Sequence, residues 1–378
     1  MRWLPVVVLG LLLAAPAEAQ PGRLLELPRI DRGSVTVSGL SSGAFFAHQM
    51  HVAYSTVIHG AGLVAGGPYG CAEPPEEPWW LSVNPYGRAI TAVTVCTHIG
   101  RSTVELWSEW FGAPPEAPAV EDALAVTDVA RSDAAIDDPA NLADDRVWLF
   151  SGTKDTVVPT ATVDALAGLY RKLGVTGDRL KLVEDVPAGH GMPVDEFTGE
   201  SRFPKLGCGD QAPPFIVDCD RDAAGELLRH LLPDGFADAP GVPRRDRLIG
   251  FDQREFFDAS EDSVSLAATG FLYLPESCMP EGEGCRLHIA FHGCSQNTDT
   301  VGDDFVWDAG YNRWAEANRI VVLYPQTRAW KPAWDTFGWS GNPAGCWDWW
   351  GYSGADFAER SGPQMQAVRG MIARLLGE

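Results

Sequence analysis

Three side chains, Ser41, Asp155 and His190, are of the types that acyl transfer needs, and each sits in a setting able to present it. Ser41 is the centre of Gly39-Leu40-Ser41-Ser42-Gly43, a G-x-S-x-G pattern that places a serine on a sharp strand-to-helix turn. A serine hydroxyl is a weak nucleophile at its free pKa, so a base must lie within hydrogen-bond reach and an acid must orient that base. His190, between Gly189 and Gly191, is the candidate base. Asp155, at the end of Ser151-Gly152-Thr153-Lys154-Asp155, is the candidate acid, with Asp144, Asp145 and Asp185 as the other carboxylates open to the role. The developing oxyanion needs two backbone N–H donors. The first candidate is Ser42, the residue after the nucleophile. The second comes from Phe291-His292-Gly293-Cys294, where the Cys294 N–H leads and Gly293 and Ser295 remain alternatives. Among the other histidines, His48, His51 and His59 follow the elbow too closely to swing back over it and are read as helix-surface or packing residues. His98, His230 and His288 have no motif around them, and His292 is read as a structural part of the oxyanion loop.

The elements that must hold these groups are visible in the hydrophobic pattern. Val35-Thr36-Val37-Ser38 is β-branched and strand-like, and residues 44–54 open a helix directly after the turn. Arg146-Val147-Trp148-Leu149-Phe150 is a short apolar strand leading into the Asp155 turn. Residues 160–173 carry Val163, Leu166, Leu169 and Tyr170 at helical spacing. The strand Leu180-Lys181-Leu182-Val183 then runs into Val186-Pro187-Ala188-Gly189-His190-Gly191. Further on come the strand Leu287-His288-Ile289-Ala290-Phe291, a helix around residues 307–318, and the strand Ile320-Val321-Val322-Leu323-Tyr324. A last helix over residues 362–376 has Met365, Val368, Met371, Ile372 and Leu375 on one face. Alternating strands and helices predict an α/β-hydrolase fold, a mostly parallel central sheet flanked by helices. In the usual arrangement the HG-type oxyanion loop precedes the elbow. Here it follows, so the order predicts a circular permutation in which the final helix and the elbow strand have been separated.

The runs Ser38 to Gly43, His51-Val52-Ala53-Tyr54-Ser55, Ala65-Gly66-Gly67-Pro68-Tyr69, Ile289 to Cys294, Leu323-Tyr324-Pro325-Gln326-Thr327 and Asn342-Pro343-Ala344-Gly345-Cys346-Trp347-Asp348-Trp349-Trp350 occur in this order. Together they resemble the secreted single-domain poly(3-hydroxybutyrate) depolymerases, in particular the circularly permuted, fungal-type catalytic domain. The resemblance spans most of residues 20–378. It implies a polyester or oligoester substrate, a triad of Ser41, Asp155 and His190, the Cys294 amide at the active site, and a crevice that includes Trp347, Trp349, Trp350 and Tyr352. Residues 73–141 and 196–256 look longer than the family pattern and read as insertions. No linker to a separate polymer-binding module is visible, so adsorption to a solid would use the catalytic surface. A feruloyl or acetyl-xylan type carbohydrate esterase would use the same machinery with another crevice, and a non-catalytic polymer-binding protein on a hydrolase fold is a reading from another class.

Composition fits an exported, single catalytic domain. Met1-Arg2-Trp3 followed by an apolar run over residues 6–15 and Ala17-Glu18-Ala19 reads as a signal peptide over residues 1–19. That run is too short to span a membrane, and no other stretch does so. Eight cysteines suit an oxidising compartment, extracellular or periplasmic. Spacing cannot fix their connectivity; neighbour pairing would join Cys71 to Cys96, Cys208 to Cys219 and Cys278 to Cys285, leaving Cys294 with Cys346. With no C-x-x-C pair, neither a metal nor a cofactor is expected. The formal net charge of −22 argues against nucleic acid as a partner and tolerates a neutral ester. Of fourteen tryptophans, Trp148 reads as core, whereas Trp79-Trp80 and the 347–350 cluster fall in loop-like segments.

Overall fold

The computed structural model describes residues 21–74, 81, 86–105, 112–197, 201–333 and 341–378. The expected leader over residues 1–19 and the pair Trp79-Trp80 lie outside the described residues. In chain order the main elements are β1 (Thr36–Leu40), α1 (Ser42–Ala53), β2 (Gly60–Val64), α2 (Val120–Ser132), β3 (Arg146–Phe150), α3 (Thr160–Lys172) and β4 (Leu180–Val183). Three short strands follow, β5 (Met192–Val194), β6 (Leu206–Gly207) and β7 (Ile216–Asp218), then α4 (Ala223–Leu231), β8 (Leu248–Asp252), β9 (Thr269–Tyr273), β10 (Arg286–Phe291), α5 (Tyr311–Asn318), β11 (Ile320–Tyr324) and α6 (Pro363–Leu376).

Eight strands form one sheet in the order β4-β3-β2-β1-β10-β11-β9-β8. The six from β4 to β11 run parallel, and β9 and β8 add antiparallel edges. A parallel sheet needs both faces covered, and the helices supply the cover. The central strand β1 is buried along its whole length, between β2 from the next part of the chain and β10 from near its end. Every residue of α1 is buried as well, which is why this helix shows little amphipathic pattern. The two extremes of the described chain meet: the Leu27 N–H donates to the Leu375 carbonyl at 2.8 Å, and Arg32 pairs with Glu378 at 2.9 Å.

Within residues 196–256, β6 and β7 join the preceding β5 in a small sheet apart from the main one. The amphipathic helix α4 buries Leu227, Leu228 and Leu231, with Leu227 packed directly over Gly62 of β2, and β8 pairs with β9 as a full edge strand. That part of the segment packs into the main core. The helix expected around 307–318 is divided into Asp304–Asp308 and α5, because Gly310 takes a left-handed φ of 92° between them. The four disulfides are Cys71–Cys96, Cys208–Cys219, Cys278–Cys285 and Cys294–Cys346, leaving no free cysteine.

Candidate active site

Ser41, Asp155 and His190 follow the carboxyl ends of β1, β3 and β4, so parallel strands deliver all three to one edge of the sheet. Ser41 has φ 55° and ψ −125°, a conformation that costs about 1–3 kcal/mol and persists only where its surroundings enforce it. The enforcement is visible in the flanking glycines. A Cβ on Gly39 would lie 2.3 Å from the Gly43 backbone, and a Cβ on Gly43 would lie 2.4 Å from the carbonyl oxygens of Phe291 and His292. The turn is therefore pressed against the end of β10, the strand that leads into the oxyanion loop.

Asp155 and His190 are paired, with His190 Nδ1 and Asp155 Oδ2 at 2.8 Å and both side chains buried. The other carboxylate oxygen, Oδ1, accepts the Val157 and Val158 N–H groups at 2.8 and 2.9 Å. Those two bonds fix the carboxylate and turn Oδ2 toward the ring. A carboxylate partner puts the proton on Nδ1, leaving Nε2 free to accept one. The alternative acids are engaged elsewhere or exposed. Asp145 bonds His51 Nε2 at 3.0 Å, Asp144 pairs with Arg179 at 3.1 Å, and Asp185 lies at the surface.

Of the three candidate amides in the loop after β10, two have protein acceptors. The Gly293 N–H donates to Gln296 Oε1 at 2.6 Å and the Ser295 N–H to the Ala344 carbonyl at 2.7 Å. Among the described residues, the Cys294 N–H has no protein acceptor. Its direction is set by the planar peptide it shares with the Gly293 carbonyl. That carbonyl accepts from His292 Nδ1 at 2.7 Å and from the Gln296 N–H at 3.2 Å, so the N–H on the other side of the same trans peptide points away from both. Gly293 itself abuts the serine, since a Cβ there would lie 3.5 Å from Ser41 Cβ. The Ser42 N–H is in the first turn of α1, where helical geometry leaves amides without intrahelical acceptors.

His292 is buried and structural, as its loop context implied. Its Nε2 accepts the Thr327 N–H at 3.2 Å, and burial pushes its pKa down to about 4. His288, which had no motif around it, lies under the site, bridging Thr36 Oγ1 at 2.8 Å and Ser38 Oγ at 2.7 Å between β10 and β1. His51 is a packing residue between Asp145 and Tyr170.

The expected aromatic crevice is only partly of that kind. Trp347 is fully buried, with its ring 4.7 Å from Phe46 and 5.0 Å from Phe291. It supports the elbow from inside and cannot touch a substrate as placed, because burying its large ring against Phe46 outweighs leaving it in a loop wall. Trp349 stacks on Phe45 at 4.1 Å, Trp350 meets Trp349 edge-on at 5.5 Å, and Tyr352 lies 4.9 Å from Trp350. The Tyr352 hydroxyl is turned inward, donating to the Cys346 carbonyl at 2.8 Å. Asp348 ties this loop together by accepting the N–H groups of Trp350, Gly351, Tyr352 and Ser353, a role that sequence alone did not mark. No cluster of His, Cys, Asp or Glu among the described residues is arranged to hold a metal ion. No helix among them is long and apolar enough to cross a membrane.

No protein-family model matches the chain. Over 349 residues it is 36% identical to a poly(3-hydroxybutyrate) depolymerase of Delftia acidovorans, covering 92% of this chain and 60% of that protein. Over 380 residues it is 30% identical to a polyhydroxybutyrate depolymerase of Talaromyces funiculosus, covering 98% and 97% of the two. Two solved structures are similar at 28% identity, each covering 95% of this chain and 99% of its own. One is a PHB depolymerase with a serine-to-alanine substitution, complexed with an R3HB trimer, at a TM-score of 0.73; the other is the PHB depolymerase of Penicillium funiculosum, at 0.72. The match to the Talaromyces protein along nearly its whole length, together with the shared fold, places this chain in the poly(3-hydroxybutyrate) depolymerase family.

Proposed function

We propose that the protein is a serine esterase that cleaves the ester bonds of poly(3-hydroxybutyrate) or related short-chain polyhydroxyalkanoates through an acyl-enzyme. The observation that carries this reading is the buried Asp155–His190 pair at the same sheet edge as a serine held at φ 55°. His190 Nε2 takes the Ser41 proton as Ser41 Oγ attacks the ester carbonyl carbon. The Ser42 and Cys294 N–H groups hold the tetrahedral oxyanion. Collapse releases the hydroxyl end of the leaving chain, which takes the proton from His190. Water then attacks the acyl group on Ser41 with His190 again the base.

Phe45, Trp349 and Trp350 form an aromatic strip that begins on α1, four residues beyond the nucleophile; Phe45 and Trp349 are buried, so the surface open to an apolar polyester chain is that of Trp350. Trp350 is its half-buried, accessible member. We read the sheet order as a circularly permuted α/β-hydrolase, in which the elbow strand comes first and the oxyanion strand β10 later. Four disulfides and the leader-like residues 1–19 support export to an oxidising compartment. The test is Ser41→Ala: the variant is expected to fold as the native protein does, fail to react with a fluorophosphonate, and release no 3-hydroxybutyrate from a polymer suspension. A fully active variant would overturn the proposal.

A further inference from the structure

Gln296 is buried, 1% exposed, and its side-chain amide is fully used by partners from two distant parts of the chain. Its Oε1 accepts the Gly293 N–H at 2.6 Å. Its Nε2 donates to the Pro214 carbonyl at 2.7 Å and the Phe215 carbonyl at 3.2 Å. The partners dictate the amide orientation, since an N–H must face the oxygen and carbonyls must face the NH2. Gly293 leads directly into the Cys294 amide and abuts Ser41. Phe215 meets the His190 ring edge-on, with centroids 6.3 Å apart, and its carbonyl also accepts the Met192 N–H at 2.8 Å, two residues beyond His190. One amide thus joins the oxyanion loop to the segment that walls the base.

We propose that Gln296 is a positioning residue for this reaction: it holds the Cys294 donor and the His190 loop in register with each other across the serine. The inference rests on the esterase reading above and specifies which group aligns the two halves of the machinery. The Phe215 carbonyl keeps the Met192 N–H whatever stands at 296, whereas the Gly293 N–H and the link between the two loops depend on the amide. Without Oε1 the buried Gly293 N–H loses its acceptor, and without Nε2 the 214–215 carbonyls lose their tie to the oxyanion loop. Because the oxyanion exists only in the transition state, misplacing its donor lowers kcat and leaves substrate binding largely intact.

The test compares Gln296→Met, which keeps the length and removes both polar functions, with Gln296→Glu, which keeps the acceptor and loses the donor. Removing one oxyanion donor outright costs about 10²–10³ in kcat, so displacing one is expected to cost about 10–100-fold. For Gln296→Met the expected result is that loss in kcat on a soluble 3-hydroxybutyrate oligoester, with KM within about twofold of native. For Gln296→Glu the ratio of variant to native activity is expected to rise as pH falls, because the protonated carboxyl regains a donor toward Pro214 or Phe215. A Gln296→Met protein with native kcat, or one impaired only in KM, would overturn the inference. Should the methionine variant fail to fold, a Gln296→Glu activity ratio that is flat across pH would overturn it equally. Ser41→Ala in the same assay separates the two levels: if it is inactive while Gln296→Met is native-like, only the positioning role fails, whereas an active Ser41→Ala removes the esterase reading itself.

Discussion

At the scale of single residues, type and setting singled out Ser41, Asp155 and His190 as the candidate triad, and the fold pairs two of them, Asp155 and His190. A serine between glycines, a histidine between glycines and an aspartate on a post-strand turn each had to occupy a position that few residue types tolerate. What the sequence left open was which of several carboxylates faces the ring, and the two amides that bond Asp155 Oδ1 answer that. Asp155→Asn would keep this shape but favour the wrong imidazole tautomer. We expect a loss of about 10⁴ in kcat with little change in unfolding temperature, measured on an oligoester substrate. A loss of less than tenfold would mean that Asp155 does not orient the base. Gln296 and Asp348 were not legible, because a buried amide or carboxylate declares itself only through backbone partners that are far away in the chain or on a folded loop. Trp347 misled for the opposite reason: its Gly-rich neighbours read as an open loop, while the folded loop turns the ring inward onto Phe46.

At the scale of elements, β3, β4, β11 and α3 were readable nearly to the residue because their apolar residues keep strand or helix spacing. β2 escaped, since Gly60-Ala61-Gly62 carries almost no strand signal; Gly62 is required because Leu227 of α4 packs where a side chain would stand. The loops are where the elements become a site. Cys294–Cys346 joins the oxyanion loop to the tryptophan-rich loop across 52 residues of sequence. A covalent tie of this kind contributes about 2–4 kcal/mol to stability, but its position predicts a larger effect on rate. A protein carrying Cys294→Ser and Cys346→Ser together is expected to retain its fold, shown by circular dichroism, and to lose about tenfold or more in kcat as the Cys294 amide wanders. A native kcat in that protein would assign the bridge to stability alone.

At the scale of the whole molecule, three of the buried histidines predict a fold that loses stability in acid. Burial pushes His48 and His288 down to about 3 and His292 to about 4. In the unfolded chain each titrates at about 6.5. Below that pH the unfolded state takes up protons that the native rings refuse. Their contribution is therefore whole above pH ~6.5 and is lost as pH falls toward the folded values, by up to about 1.4 kcal/mol per pH unit for each ring. The unfolding midpoint should decline steadily from pH 6.5 to 5, with a shallower slope in His288→Asn. A midpoint constant over that interval would contradict the burial argument. The sheet order also bears on how the molecule comes into being. Ser41 is translated early, yet one edge of its strand is completed only by β10, and Cys294 lies beyond that. Translation must therefore add more than 250 residues after Ser41 before its hydroxyl has that wall behind it.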